Sequence, residues 1–115
     1  VQEFAALGVD AIYTTDDGSF GRKGVVTDAL AEILDAGGTA HVYTCGPTAM
    51  LRAVGELCVS RGVAAQVSVE TMMPCGLGVC MGCVVKIKDE SEAGWSYLRS
   101  CYEGPVFRAE EIIWD

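Results

Sequence analysis

Residues 40–70 read AHVYTCGPTAMLRAVGELCVSRGVAAQVSVE, and they contain two strand patterns separated by a helix pattern. Residues 40–44 and 64–70 are rich in β-forming side chains, which predicts a strand at each place. Between them, apolar side chains recur at helical spacing: Met50, Leu51, Val54, Leu57 and Cys58. Pro47 suits the first turn of this helix. A strand, a helix and a strand joined by short connections predict two parallel strands with a right-handed crossover.

The preceding residues repeat this alternation of strand and helix. Residues 11–15 are predicted to be a strand, because they are rich in β-forming side chains. Apolar side chains at helical spacing then predict a helix that ends at Gly37 and Gly38. Residues 1–7 are predicted to be the end of an earlier helix that Gly8 stops.

Together these elements predict an α/β fold. We expect a partial doubly wound parallel sheet, covered on both faces, followed by a small, mostly β, cysteine-rich segment. In that segment, residues 85–88 alternate apolar and Lys side chains, which is typical of a strand with one polar face. Ligands of doubly wound sheets bind at the carboxyl ends of the strands, where residues 15–19 and 45–48 form loops.

The composition excludes several classes of protein. The chain has 115 residues, half of them apolar, so it can bury a modest core and is not intrinsically disordered. Its net charge of −8 argues against nucleic acid and anionic membrane surfaces as partners. No apolar run approaches the ~20 residues that span a bilayer. No basic segment followed by an apolar one opens the sequence, so we expect no secretory signal.

Four of the six cysteines are clustered with the spacing C-x4-C-x2-C-x17-C: Cys75, Cys80, Cys83 and Cys101. The first three spacings match those of plant-type 2Fe–2S proteins, which add a distant fourth Cys. Such a loop must bring its sulfurs together and direct backbone N–H groups at them, and Gly76, Gly78 and Gly82 would allow this. The apolar residues between the cysteines are expected to keep water off the cluster: Leu77, Val79 and Met81.

Structural zinc and disulfides are the alternatives to an iron–sulfur cluster. Structural zinc usually takes two short Cys-x2-4-Cys pairs, whereas here three cysteines lie together and one stands apart. Disulfides are disfavoured because the rest of the chain is typical of a cytosolic protein, in which thiols stay reduced. Cys58 is predicted to be a buried small apolar residue of its helix. Cys45 is either a packed residue at the end of a strand or part of a nucleotide site.

Two further segments carry a resemblance to a known family. Residues 42–51, VYTCGPTAML, resemble the C-G-P segment of the ferredoxin–NADP reductase superfamily, which lines the nicotinamide site. Residues 14–24, TTDDGSFGRKG, together with the four cysteines and CYEGPVF at 101–107, resemble the electron-transfer subunit of type B dihydroorotate dehydrogenase. The family's FAD-binding β-barrel, its first strand and its glycine-rich phosphate turn have no counterpart. The resemblance therefore implies the C-terminal portion of such a subunit.

The resemblance implies an activity and a set of partners. The family's subunit carries FAD and a 2Fe–2S cluster, and it passes electrons between NAD and an FMN-containing catalytic subunit that oxidises dihydroorotate in pyrimidine biosynthesis. A cytoplasmic heterotetramer is expected, with no nucleic acid or membrane bound. The chain would be a component of an NAD-dependent oxidoreductase, and no catalytic acid, base or nucleophile is expected in it.

Site residues follow from the resemblance by position. The cluster ligands would be Cys75, Cys80, Cys83 and Cys101. The nicotinamide would face Cys45, Gly46 and Pro47. The adenosine ribose would lie near Thr15, Asp16 and Asp17, where an acidic side chain favours NAD over NADP.

The same resemblance divides the chain into two functional parts. Residues 1–70 would be the C-terminal part of an NAD-binding domain, and residues 71–115 a cluster-binding domain. Two alternative functions stay open. One is an electron-transfer subunit of another NAD(P)-linked oxidoreductase, of the hydrogenase or ferredoxin:NADP reductase type. The other is an interaction module stabilised by zinc.

Overall fold

The computed structural model describes residues 2–38 and 41–114, and it divides into two compact units, Val1–Gly37 and Gly38–Asp115. The elements of the first unit are α1 (Gln2–Ala6), β1 (Thr14–Thr15), β2 (Arg22–Lys23) and α2 (Val26–Ala36). Those of the second are β3 (Val42–Cys45), α3 (Thr48–Ser60), β4 (Ala65–Ser68), β5 (Val84–Lys88), β6 (Trp95–Arg99) and β7 (Val106–Arg108).

In the first unit, two short parallel strands precede helix α2. β1 pairs with β2 in the register Thr14↔Arg22. The first turn of α2 is capped by Asp28, whose carboxylate accepts a hydrogen bond from the Val25 N–H at 3.3 Å. The helix ends as predicted at Gly37, where the backbone adopts a φ of 77°.

The second unit is built on a strand–helix–strand motif. β3 and β4 are parallel, in the register Val42↔Ala65, and α3 packs against both strands, which confirms the predicted crossover. The buried apolar residues of this unit include Leu51, Val54, Cys58, Val67, Ile87, Phe107 and Ile112. α3 and β4 supply five of the buried apolar residues, and the rest come from the segments that follow β4.

Two antiparallel pairings complete the second unit. β7 lies along the other edge of β4, with Val67 opposite Phe107. β5 and β6 form a hairpin in which Val84 is opposite Arg99. The α/β fold class and its mostly β, cysteine-rich end are thus as predicted. None of the helices in residues 2–38 and 41–114 is long and apolar enough to span a membrane.

Several predicted elements are shorter in the structure. The strand expected at residues 11–15 is only Thr14–Thr15, and its partner is Arg22–Lys23. The strand expected at 64–70 spans Ala65–Ser68, and the Val69 N–H beyond it donates to the Pro105 carbonyl at 3.0 Å.

Other differences concern the first helix and the strand β3. The helix expected at residues 1–7 spans Gln2–Ala6 among the described residues. β3 is described from Val42, and residue 40 lies outside the described residues. The face of β3 that carries Tyr43 and Cys45 is exposed rather than covered.

Candidate metal centre and nucleotide loops

The β5–β6 hairpin brings the fourth cysteine to the other three. Cys83 directly precedes β5, and one residue, Ser100, separates the end of β6 from Cys101. Because Val84 is opposite Arg99, Cys83 is opposite Ser100, whose N–H and hydroxyl both donate to the Cys83 carbonyl, at 3.0 and 2.9 Å. The sulfurs of Cys83 and Cys101 are 3.3 Å apart. The seventeen residues of the spacer are therefore a hairpin that returns the chain to its starting point.

Residues 75–83 form the cysteine loop, which has no helix or strand. The Leu77 N–H donates to the Cys75 sulfur and the Gly82 N–H to the Cys80 sulfur, both at 3.4 Å. The expected backbone hydrogen bonds to sulfur are thus present. Gly76 and Gly78 have φ angles of 63° and 77°, which L side chains rarely adopt.

Gly82 is needed in this loop for a different reason. A Cβ there would lie 3.0 Å from the Pro74 ring and 3.4 Å from the Cys80 sulfur. The remaining left-handed residue is Met81, at φ 59°. The expectation that apolar residues cover the cysteines is wrong, since Leu77, Val79 and Met81 are 75%, 76% and 50% exposed.

The local electrostatics favour the thiolate form of Cys75. Hydrogen bonds from the backbone N–H groups of Leu77, Cys80 and Val79 lower the pKa of Cys75 to about 6, so it is largely deprotonated at neutral pH. The contact with Cys83, followed by burial, raises the pKa of Cys101. Negative charge on Cys75 also raises the pKa of Cys101, so these two cysteines interact electrostatically.

All six cysteines are free, and the 3.3 Å between the sulfurs of Cys83 and Cys101 exceeds the ~2.05 Å of a disulfide. In the part of the chain that the structure describes, no three His, Cys, Asp or Glu side chains are grouped to hold one metal ion. The four thiols lie instead as two linked pairs, Cys75 with Cys80 and Cys83 with Cys101. Paired thiols with N–H donors suit a binuclear iron–sulfur cluster, in which each iron takes two protein sulfurs.

The loop after β3 combines a strand end with a helix start. Cys45 is the last residue of β3 and its side chain is exposed, so it is not a packed residue there. Gly46 has a φ of 148°, and a Cβ on it would lie 2.5 Å from the Met50 methyl group. Pro47 precedes the first turn of α3 and accepts from the Leu51 N–H at 3.0 Å. The loop thus presents a thiol and a helix N-terminus at a carboxyl strand end.

The acidic loop belongs to the first unit. Thr15 ends β1, and its hydroxyl donates to the Phe20 carbonyl at 3.0 Å. Asp17 accepts from the Ser19 N–H at 2.9 Å, and this bond lowers the pKa of Asp17. Asp16 is exposed. The acidic loop and the Cys45–Gly46–Pro47 loop thus lie in different units of the chain.

Cys58 lies where the helix pattern predicts. Its side chain is fully buried on α3, and burial raises its pKa. It is thus a core residue.

Two residues of the metal centre were not expected from the sequence. Arg99 donates from Nη1 to the Gly78 carbonyl at 2.6 Å and from Nε to the Glu103 carboxylate at 3.0 and 3.1 Å. Hydrogen bonds from Arg99 lower the pKa of Glu103 to about 2. Their opposite charges two residues on either side of Cys101 are the signal that could have indicated them.

Two family models match the chain. Residues 70–113 match the iron-sulfur cluster binding domain of dihydroorotate dehydrogenase B. Residues 5–56 match the oxidoreductase NAD-binding domain. The first segment contains the four clustered cysteines, and the second contains both nucleotide loops. The chain therefore combines a segment similar to an NAD-binding oxidoreductase domain with a segment similar to an iron–sulfur domain of this type.

Two relatives of the chain are named as an electron transfer subunit and as a homolog of that subunit. One, "Dihydroorotate dehydrogenase B (NAD(+)), electron transfer subunit" of Caldanaerobacter subterraneus, is 43% identical over 113 residues, which are 98% of this chain and 44% of that protein. A homolog of this subunit in Aquifex aeolicus is 44% identical over 99 residues, covering 86% of this chain and 36% of its own length. The resemblance to this family is thereby confirmed. The chain spans less than half the length of these relatives.

A solved structure supports the fold class. It is described as an NADH-dependent reduced ferredoxin-NADP oxidoreductase, in a report on flavin-based electron bifurcation. It superposes with a TM-score of 0.79 at 32% identity, over 99% of this chain and 39% of that one. An iron–sulfur cluster, NAD and a flavin are thus cofactors of this class of protein, as predicted.

Proposed function

We propose that the chain is the part of an electron-transfer subunit that holds a 2Fe–2S cluster and contacts NAD. The cluster ligands would be Cys75, Cys80, Cys83 and Cys101. The observation that carries this assignment is the 3.3 Å between the sulfurs of Cys83 and Cys101, produced by the register of the β5–β6 hairpin. Residues 71–115 would form the functional unit of the cluster, and residues 1–70 that of the nucleotide.

The protein's own groups suit an anionic cluster. When bound, a 2Fe–2S cluster supplies transfer of one electron at a time. The Leu77 and Gly82 N–H groups stabilise negative charge on the ligand sulfurs, to which they donate at 3.4 Å. Cys80 and its apolar neighbours are exposed, so the loop lies at the protein surface, where electrons could pass to a partner.

The nucleotide would be NAD rather than NADP. Asp17 is held ionised by the Ser19 N–H, and together with Thr15 and Asp16 it would lie near the adenosine ribose. A carboxylate there accepts from a 2′-hydroxyl and repels a 2′-phosphate. Cys45, Gly46 and Pro47 would face the nicotinamide, since the Cys45 thiol is exposed and the loop lies at the carboxyl end of β3.

In the complete protein, FAD would receive or deliver the electron pair that NAD carries. Electrons would pass through the cluster to or from the FMN of a separate catalytic subunit that oxidises dihydroorotate, in pyrimidine biosynthesis. The two kinds of subunit would form a heterotetramer in the cytoplasm. The names of the Caldanaerobacter and Aquifex relatives support this proposal.

A second candidate function uses the same cofactors with another partner. The chain would then serve a ferredoxin:NADP or hydrogenase type of oxidoreductase. The likeness to the NADH-dependent reduced ferredoxin-NADP oxidoreductase favours this alternative. The two candidates differ in the substrate that reduces the cluster.

The experiment uses the full-length protein together with its catalytic partner, purified without oxygen. We expect about two iron atoms and two acid-labile sulfides per chain, with visible absorption that reduction bleaches. Cys83→Ser should lose the iron, because it removes one thiol of the Cys83–Cys101 pair. Cys58→Ala is the matched control, since this cysteine is buried in α3 away from the loop, and it should keep the iron.

The substrate of the complex separates the remaining alternatives. Dihydroorotate should bleach the cluster and NAD should then restore its colour. Bleaching by reduced ferredoxin but not by dihydroorotate would support the second candidate. Zinc in place of iron, or a Cys83→Ser protein that retains its full iron content, would contradict the cluster assignment.

A further inference from the structure

The turn that carries Cys101 is organised by Arg99. The Arg99 carbonyl accepts hydrogen bonds from the N–H groups of Tyr102, Glu103 and Gly104, at 3.0, 2.8 and 3.2 Å. The Arg99 N–H donates to the Glu103 carboxylate at 2.6 Å. The backbone of one residue therefore fixes the shape of the turn on both sides of the fourth cysteine.

The side chain of Arg99 reaches the cysteine loop from this turn. Nη1 donates to the carbonyl of Gly78, which lies midway between Cys75 and Cys80, at 2.6 Å. Nε donates to Glu103, so the guanidinium is held between a carbonyl and a carboxylate. It also lies over the Tyr102 ring, 4.9 Å from the centroid. A planar group with five donors can make these contacts together, whereas an ammonium cannot.

The backbone N–H groups in this part of the loop contact the cysteines themselves, Val79 with Cys75 and Gly78 with Cys101. Gly78 is buried, but its neighbours Leu77 and Val79 are 75% and 76% exposed, so no apolar side chain on either side anchors the loop in the core. Gly78 is covered instead by Tyr102, since a Cβ on it would lie 3.2 Å from the Tyr102 Cβ. Arg99 and Tyr102 thus join the three-cysteine loop to the turn that carries Cys101.

We propose that Arg99 is a positioning residue for the cluster: its guanidinium fixes the cysteine loop against the Cys101 turn and so sets the distance between the two pairs of ligands. This inference rests on the proposed ligand set. The positive charge of Arg99 also interacts with Cys101 and is balanced by Glu103. Arg99 would therefore affect both how firmly the cluster is held and how easily it is reduced.

The test compares four variants of the full-length protein: Arg99→Gln, Arg99→Lys, Glu103→Gln and Arg52→Gln. The last is the matched control, because Arg52 forms the same i,i+4 ion pair with Glu56 on α3. The measurements are the rate of iron loss to a chelator without oxygen, the electron paramagnetic resonance spectrum of the reduced cluster and its midpoint potential.

Arg99→Gln should lose iron about tenfold faster, as is usual when the groups supporting metal ligands are removed. Its resonance spectrum should change, and Arg99→Lys should restore part of both properties by keeping the charge and one donor. Arg99→Gln should lower the midpoint potential, and Glu103→Gln should raise it. A merely structural role would not give shifts of opposite sign. Arg52→Gln should behave as the unmodified protein.

Unchanged iron loss and an unchanged spectrum in Arg99→Gln would overturn the positioning role, as would equal effects in Arg52→Gln. If Arg99→Gln does not fold, Arg99→Lys carries the test, and wild-type iron loss with a wild-type spectrum in that variant would overturn the proposal. Failure of the proposed function is distinguishable, because the unmodified protein would then contain no iron and sulfide.

Discussion

Gly76 and Gly78 occupy the same kind of backbone conformation in the cysteine loop but have different surroundings. Their φ angles are 63° and 77°. A Cβ on Gly76 would meet no atom within 4 Å, whereas one on Gly78 would lie 3.2 Å from the Tyr102 Cβ and 3.3 Å from its ring. A substitution of Gly76 therefore introduces backbone strain alone, whereas the same substitution of Gly78 also displaces Tyr102.

We expect both Gly76→Ala and Gly78→Ala to destabilise the loop by about 1–2 kcal/mol through the left-handed backbone. Gly78→Ala should be the worse of the two, because Tyr102 must move away from the Cys101 turn. The measurement is the rate at which the visible absorption of the full-length protein decays in a chelator. Equal decay rates in the two variants would show that the Tyr102 contact does not support the loop.

At the residue scale, the sequence was informative where the chemistry is local. Cysteine spacing and glycine content indicated a loop with N–H groups directed at sulfur, and the structure has two such bonds. It was uninformative about Leu77 and Val79, because whether an apolar side chain is covered depends on residues far away in the chain. The role of Arg99 was not predicted for the same reason, since its partner Gly78 is twenty-one residues away in the sequence.

At the element scale, α3 packs against the last residues that the structure describes. Gly55 lies in the middle of this helix and is buried. A Cβ on Gly55 would lie 3.5 Å from the Ala109 Cβ and 3.8 Å from the Trp114 ring, which are ordinary contact distances. The position thus has room for one methyl group and no more.

Gly55→Ala should stabilise the protein by up to about 1 kcal/mol, because Ala is the better helix former and its methyl group fits. Chemical denaturation of the purified full-length protein measures the change. Gly55→Leu provides the comparison: the larger side chain should destabilise by about 1–3 kcal/mol through overpacking. Destabilisation by Ala as well would mean that the Ala109 contact is tighter than the structure indicates.

The elements that the sequence predicted best have strong local patterns. The helical spacing of apolar residues located α2 and α3, and the glycine after α2 located its end. Strand pairing was harder, because it joins residues that are distant in sequence. The β4–β7 pair matches Val67 with Phe107, and no local pattern in either segment specifies the other. The pairing of β5 with β6, which explains the spacing of Cys83 and Cys101, could not be predicted for the same reason.

At the scale of the whole molecule, β7 connects the cysteine-rich segment to the strand–helix–strand motif. Phe107 is 6% exposed and lies opposite Val67, which is fully buried. Its ring also covers Gly104, where a Cβ would lie 2.7 Å from the ring. The turn that carries Cys101 is therefore continuous with a strand of the central sheet, and the unit Gly38–Asp115 should unfold as one.

Phe107→Ala should lower the stability of this unit by about 3–5 kcal/mol, the usual cost of removing a buried aromatic ring. Because the sheet and the Cys101 turn share β7, the cluster should be lost over the same temperature range as the helical signal. Circular dichroism and visible absorption, recorded together on the full-length protein during heating, test this coincidence.

Val106→Ala is the matched control for Phe107→Ala, since Val106 is on the same strand but 48% exposed. It should lower stability by less than about 1 kcal/mol, because little apolar area is removed from the core. Bleaching well below the loss of helical signal in Phe107→Ala would show that the cysteine-rich segment opens independently of the sheet. The functional division that we propose near residue 70 would then also be a division in stability. Coincident loss would show that the cluster and the strand–helix–strand motif form one cooperative unit, because the hydrogen bonds of β7 cross that boundary.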